Sequence, residues 1–150
     1  MKVCIGGTFD FIHKGHKLLI DTAFKKAGSK GFVFIGLAYD ELIKDKDNIK
    51  DYEDRKKNLI DFIKSRFLKS KYEIKELVDI FGPTINDDFD IIIVSKETKK
   101  NAEIINRKRV ENSLKPLKIV EIPMILADDG KPISSTRIRN GEIDINGRIL

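Results

Sequence analysis

The residues best suited to chemistry gather near the amino terminus, in Gly6-Gly7-Thr8-Phe9-Asp10-Phe11-Ile12-His13-Lys14-Gly15-His16. The chain has 2 histidines, and both stand here, His13 and His16, just ahead of an amphipathic stretch. That spacing sets both imidazoles on one side of a helix start. A helix N-terminus presents unpaired amide N–H groups and the positive end of the helix dipole, and both favour phosphate. Imidazole N–H donors add charge-assisted bonds worth about 1.5–3 kcal/mol each. Gly6 and Gly7, lacking Cβ atoms, let a ligand approach the backbone. Taken alone, a Gly-Gly pair is as readily a plain tight turn. Metal binding suits the segment less well. With 2 histidines and 1 cysteine the chain is short of a usual transition-metal set, and no metal ligands are expected.

A second cluster lies near the other end, Ile133-Ser134-Ser135-Thr136-Arg137-Ile138-Arg139, after Asp128-Asp129-Gly130-Lys131-Pro132. Hydroxyl residues at a helix start cap it and offer donors to phosphate. Arg137 and Arg139 add permanent positive charge. By itself the segment reads equally as an ordinary capped helix on a basic surface.

Something must carry these two segments to one place. Apolar runs at Lys2–Gly6, Phe32–Ala38, Glu73–Val78, Asp90–Ser95 and Leu117–Ile122 read as strands. Helical spacing of apolar residues marks Lys17–Ala27, Tyr52–Leu68 and Lys96–Asn112, with a short helix at Ser134–Asn140. The order β-α-β-α-β-β-α-β-α predicts an α/β fold, a mostly parallel sheet of about five strands covered by helices on both faces. Open parallel sheets bind ligands at the carboxyl ends of their strands, where Gly6 and Gly7 fall. The polar stretch Lys44–Asp54 reads as a loop over that end, or as a plain surface connection.

At 150 residues the chain is expected to form a single domain, and 41% hydrophobic residues suffice for a core. Cys4, inside Val3-Cys4-Ile5, reads as a small core residue. No signal peptide or membrane span is expected, which points to the cytoplasm. The net charge of +5 is dispersed among 24 acidic residues, with no aromatic-rich basic stripe. Small phosphorylated substrates fit this balance, and nucleic acid and membranes are not expected as partners.

Gly7-Thr8-Phe9-Asp10 followed by His13-Lys14-Gly15-His16 resembles the nucleotidylyltransferase superfamily signature Gly-x-Phe-Asp-x-x-His-x-Gly-His. Ile133 to Arg139 resembles its second signature, Ile-Ser-Ser-Thr-x-x-Arg, with Arg139 at the arginine. Further segments run in an order similar to phosphopantetheine adenylyltransferases of the archaeal and eukaryotic type. They are Gly36–Leu42, Tyr52–Arg55, Val94–Thr98, Ile104–Arg109 and Ile122–Arg139. The resemblance implies a Rossmann-like doubly wound sheet and transfer of the adenylyl group of ATP to 4′-phosphopantetheine. The products would be dephospho-coenzyme A and pyrophosphate, with Mg2+ accompanying ATP. FMN as acceptor, and a non-catalytic nucleotide sensor, stay open as alternatives.

A phosphate monoester has a second pKa of about 6, so the acceptor is largely ionised at neutral pH and needs no general base. Alignment then supplies about 7–11 kcal/mol, and each fixed donor at the transition state about 2.7–4 kcal/mol. His16 is expected at the transition-state α-phosphate and His13 on the ATP phosphates. Thr8 would orient the acceptor phosphate, and Lys44, or else Lys46, would neutralise phosphate charge. Ser134, Ser135, Thr136 and Arg139 would hold the β- and γ-phosphates. Asp10 would act indirectly or cap its own turn.

Overall fold

Alternation along the central strands sorts the apolar side chains to two faces. The computed structural model describes residues 1–39, 42–43, 49–66 and 70–150. Strands β1 (Lys2–Gly7), β2 (Phe32–Ala38), β3 (Lys71–Leu77), β4 (Ile91–Val94) and β5 (Lys118–Glu121) form one sheet. Its order is β3-β2-β1-β4-β5. Every neighbouring pair is parallel. Val3, Ile5, Val33, Ile35, Leu37, Ile91 and Ile93 turn to one side and Cys4, Phe34, Ile92 and Val94 to the other. Such strands are buried on both faces and so read as unbroken apolar runs.

Helices α1 (Lys14–Ala27) and α2 (Tyr52–Ser65) cover the first side with Ile20, Ala23, Phe24, Leu59 and Ile63. Helix α3 (Lys99–Glu111) covers the second with Ala102 and Ile105. The chain builds outward from β1 to β2 and β3, then returns to lay β4 and β5 on the other flank. The order therefore reverses between β1 and β4, and a crevice opens at their carboxyl ends. A short helix α4 (Ser135–Arg139) follows the last strand. It rests on a small separate cluster of Ala127, Ile133 and Ile143, with Ile125 and Ile138 against it.

The five-stranded doubly wound sheet matches the expectation, and several boundaries move for local reasons. Helix α1 begins at Lys14 rather than Lys17 because His13 caps it. Helix α3 begins at Lys99 rather than Lys96. The Thr98 hydroxyl accepts from the Ser95 amide at 3.1 Å and closes a turn after β4 that leaves Glu97 outside the helix. A 3₁₀ helix at Gly82–Ile85, with Pro83 in its first turn, was not anticipated. The last expected residues of α2 fall among 67–69, outside the described residues. Cys4 is a core residue, and burial pushes its thiol up to about 12, so it is inert.

Two buried arginines hold connections by their backbone carbonyls. Arg55 Nη1 donates to Thr8 O at 3.0 Å and Ala38 O at 2.7 Å, and its Nε donates to Lys50 O at 2.8 Å. It thereby gathers the ends of β1 and β2 beneath the crevice. Arg109 does the same on the far side, donating to Lys115 O, Thr84 O and Asp87 O. Asn106 pairs with both the N–H and the C=O of Leu117, standing in for a strand partner where β5 begins.

Candidate active site

At the carboxyl ends of β1, β4 and β5 lies a cavity of about 470 Å3. Both singled-out segments line it. Gly6, Gly7, Thr8, His13 and His16 come from the amino-terminal side, and Ser134, Ser135, Thr136 and Arg139 from the carboxyl-terminal side. The turn after β4 contributes Ser95, Glu97 and Thr98, and the chain after β5 an apolar wall of Ile122, Pro123, Met124 and Ile125.

The loop from β1 to α1 is fixed from within. Phe9 is fully buried with φ of 50°, a left-handed conformation that side chains other than Gly seldom adopt. A Cβ on Gly7 would stand 3.2 Å from that ring, so Gly7 gives room to Phe9 as well as to a ligand. His13 is the N-cap of α1, and its Nδ1 accepts from Gly15 N at 3.0 Å and His16 N at 3.4 Å. A Cβ on Gly15 would come within 2.9 Å of His13 Cε1, so the cap depends on glycine there. His16 Nδ1 lies 2.5 Å from Phe11 O. The two rings stack with centroids 3.8 Å apart.

These bonds settle which nitrogen does what. His13 Nδ1 accepts, so the neutral ring carries its hydrogen on Nε2 and presents a donor to the cavity. A carbonyl only accepts, so His16 carries its hydrogen on Nδ1 and its neutral Nε2 presents a lone pair. Burial lowers His13 to about 3, reinforced by His16. Burial also lowers His16 to about 4, against a smaller raising effect of the Phe11 carbonyl and Asp10. Both rings of the free protein are therefore neutral at pH 7. A protonated His16 could also donate from Nε2, and negative charge in the cavity would favour that proton.

One expectation needs correcting. The amides of Gly15 and His16 are not free for phosphate, because the His13 side chain occupies them. The ring donor that remains on this side is the Nε2–H of His13.

On the opposite wall, the Ser134 hydroxyl accepts from Arg137 N at 3.2 Å and caps α4. Its own hydrogen remains available. Arg139 Nη2 donates to the Thr136 hydroxyl at 3.2 Å, and Nη1 donates to Asp10 Oδ2 at 2.8 Å. That ion pair joins the two segments directly. Arg137 is turned elsewhere, paired with Asp129 and donating to Pro132 O at 3.0 Å. It braces the preceding loop and does not line the cavity.

The Asp10 carboxylate bonds across the fold rather than within its own turn. It is 1% exposed, and Oδ1 accepts from Lys50 N at 3.0 Å. Lys50 Nζ reaches back to Asp10 O at 3.1 Å and sits 3.7 Å from the centre of the Phe11 ring. Lys50 is thus the described cation on the connection after β2. Lys44 and Lys46, expected there, lie outside the described residues. Sequence spacing gave no signal for Lys50, since its position depends on Asp10 and Phe11 across the fold.

A doubly wound sheet with a histidine pair and a Ser-Ser-Thr-Arg segment facing one cavity defines a nucleotide-handling class. The chain belongs to the cytidylyltransferase-like family, whose model matches residues 4–141. Within it, the chain is similar to curated proteins named phosphopantetheine adenylyltransferase. That of Methanosarcina mazei is 48% identical over 149 residues, covering 99% of this chain and 96% of the relative. That of Methanosarcina acetivorans is 47% identical, covering 99% and 95%. Among solved structures, a protein of unknown function from Archaeoglobus fulgidus superposes with a TM-score of 0.71 at 33% identity. That match covers 81% of this chain and 89% of the other. Among the described residues, no helix is long and apolar enough to cross a membrane.

Proposed function

We infer that this chain transfers the adenylyl group of ATP to 4′-phosphopantetheine, forming dephospho-coenzyme A and releasing pyrophosphate. The observation that carries the reading is the convergence of His13, His16, Ser134, Ser135, Thr136 and Arg139 on one cavity. The acceptor is taken from the near-full-length likeness to proteins of that name.

The chemistry asks for little beyond placement. An oxygen of the acceptor phosphate attacks the α-phosphorus of ATP. The bond to the oxygen bridging the α- and β-phosphorus breaks, and pyrophosphate leaves with its electrons. The acceptor oxygen is already ionised, so no side chain needs to take a proton from it. His13 Nε2–H is set to donate to a phosphate oxygen, and His16 does so once protonated. His16 lies beside the Phe9 ring, with centroids 5.0 Å apart, and the Phe11 carbonyl fixes its orientation. Such fixed donors act on charge that builds at the α-phosphate. Arg139 and the hydroxyls of Ser134, Ser135 and Thr136 face the departing phosphates. Thr8, between the Gly pair and Phe9, orients the acceptor phosphate, and Lys44, which follows β2 in the sequence, offsets its charge.

Magnesium enters this reading with the nucleotide. The Asp10 carboxylate, which lines the cavity, is already engaged by Arg139 and by the Lys50 amide. Each histidine Nδ1 is likewise occupied. The donor set suits an ion carried by triphosphate oxygens and water.

Pyrophosphate release tests the reading. The protein is incubated with ATP and magnesium and with phosphopantetheine, FMN, nicotinamide mononucleotide or glycerol 3-phosphate. Release with phosphopantetheine is expected. Release with FMN alone would reassign the acceptor and keep the chemistry, and no release with any acceptor would overturn both.

A further inference from the structure

We propose that Asp10 is a positioning residue for the nucleotide: its carboxylate fixes Arg139 over the cavity and ties the Lys50 segment to the same point. The inference rests on the cavity holding a nucleoside triphosphate, as argued above.

A buried carboxylate in a cavity meant for an anion is a paradox unless it has a task. Its charge repels the ligand, and its burial is unfavourable unless it is paired. Here the pairing is complete, with Arg139 on one oxygen at 2.8 Å and the Lys50 amide on the other at 3.0 Å. The partners stand 129 and 40 residues away in the chain, so this single side chain joins three segments.

Arg139 has need of such a tie. Helix α4 spans 5 residues and buries none of them. Its side chain reaches Asp10 while remaining 16% exposed, which leaves it open to the cavity. A guanidinium has five N–H donors. One goes to Asp10 and one to Thr136, and the others remain for phosphate oxygens. The carboxylate thus holds the fork in one orientation without exhausting it. Asp10 also favours the protonated form of His16, so its charge supports donors on both walls.

The test is a double-mutant cycle on ATP affinity, measured by calorimetry on the whole chain without acceptor. Asp10→Asn keeps the shape and removes the charge, and is expected to weaken ATP binding about tenfold. In an Arg139→Ala background the same change is expected to weaken binding less than about twofold, or to strengthen it, because the group it positions is gone and the carboxylate left behind repels the ligand. In turnover, Asp10→Asn should raise KM for ATP by a larger factor than it lowers kcat. An equal loss in both backgrounds, or no loss in either, overturns the proposal. Should Asp10→Asn fail to fold, nitrogen NMR of the wild-type protein decides. A hindered Arg139 guanidinium in the nucleotide-free protein is expected, and one that rotates freely overturns it. Binding is scored apart from turnover. A wild-type protein that binds ATP but releases no pyrophosphate with phosphopantetheine would count against the functional reading alone.

Discussion

The two halves of the site are built on opposite plans. The amino-terminal half, Gly6 to His16, grows directly out of the central strand. Phe9 is buried beneath it, His13 caps the helix that follows, and His16 is held by the Phe11 carbonyl. The carboxyl-terminal half, Ser134 to Arg139, sits on a helix of 5 residues over a small cluster apart from the main core. It joins the first half through Arg139 and Asp10. The first half has its geometry built in, whereas the second is docked. A rigid donor set serves a transition state, where small displacements are costly, and a docked one can admit and release a large ligand.

Substitutions can break this contrast. The largest effect is expected from His16→Ala, which removes the donor proposed for the reacting phosphate. Turnover should fall by about 100-fold or more with a modest change in ATP affinity. If ATP binding vanished while turnover at saturation held, the rigid half would be a binding device only. Arg139→Ala should do the reverse, raising KM for ATP by about 10–100-fold, as for loss of a bond to a charged group, with kcat changed less. Steady-state kinetics of both variants against ATP concentration separates the two patterns.

Acidity probes the rigid half alone. His13 at about 3 and His16 at about 4 both lie below the ordinary 6.5. Above 6.5 both the folded and unfolded chains hold neutral rings, so these groups add no pH dependence there. As pH falls below 6.5 the unfolded chain gains protons first, and stability drops until about 4 for His16 and about 3 for His13. Urea unfolding should show a loss of roughly 3–4 kcal/mol for the two rings together between about pH 7 and pH 5. Replacing both histidines with Gln should flatten that slope. An unchanged slope would mean that other groups set it.

The smallest effect is expected from Gly15→Ala. Its Cβ would press on His13 and unseat the cap, at about 1 kcal/mol, read as a fall of about 2–4 °C in Tm. A Tm equal to wild type would show that the cap tolerates displacement.

Much of this was legible in the sequence, for reasons that differ by region. Strands such as Asp90 to Ser95 declare themselves because a strand buried on both faces must be apolar throughout. The histidine spacing and the Ser-Ser-Thr run are local patterns, and a local pattern survives being read in one dimension. Asp10 was ambiguous because its partners, Lys50 and Arg139, are distant in the chain. Arg137 and Arg139 look alike in sequence, and only the fold turns one to Asp129 and the other to Asp10. The buried Arg55 offered no warning, since a charged residue in a charged helix reads as surface. The occupied amides at Gly15 and His16 depend on a ring rotamer that spacing does not encode.

The central claim is that the two halves grip one triphosphate, and a single titration tests it most directly. A non-hydrolysable ATP analogue is added to nitrogen-labelled protein while the side-chain signals of His16 Nε2 and Arg139 are followed. The account predicts that both move together with one Kd, and that His16 Nε2 changes from bare to protonated as the analogue binds. Movement of one without the other, or two separate affinities, would contradict it.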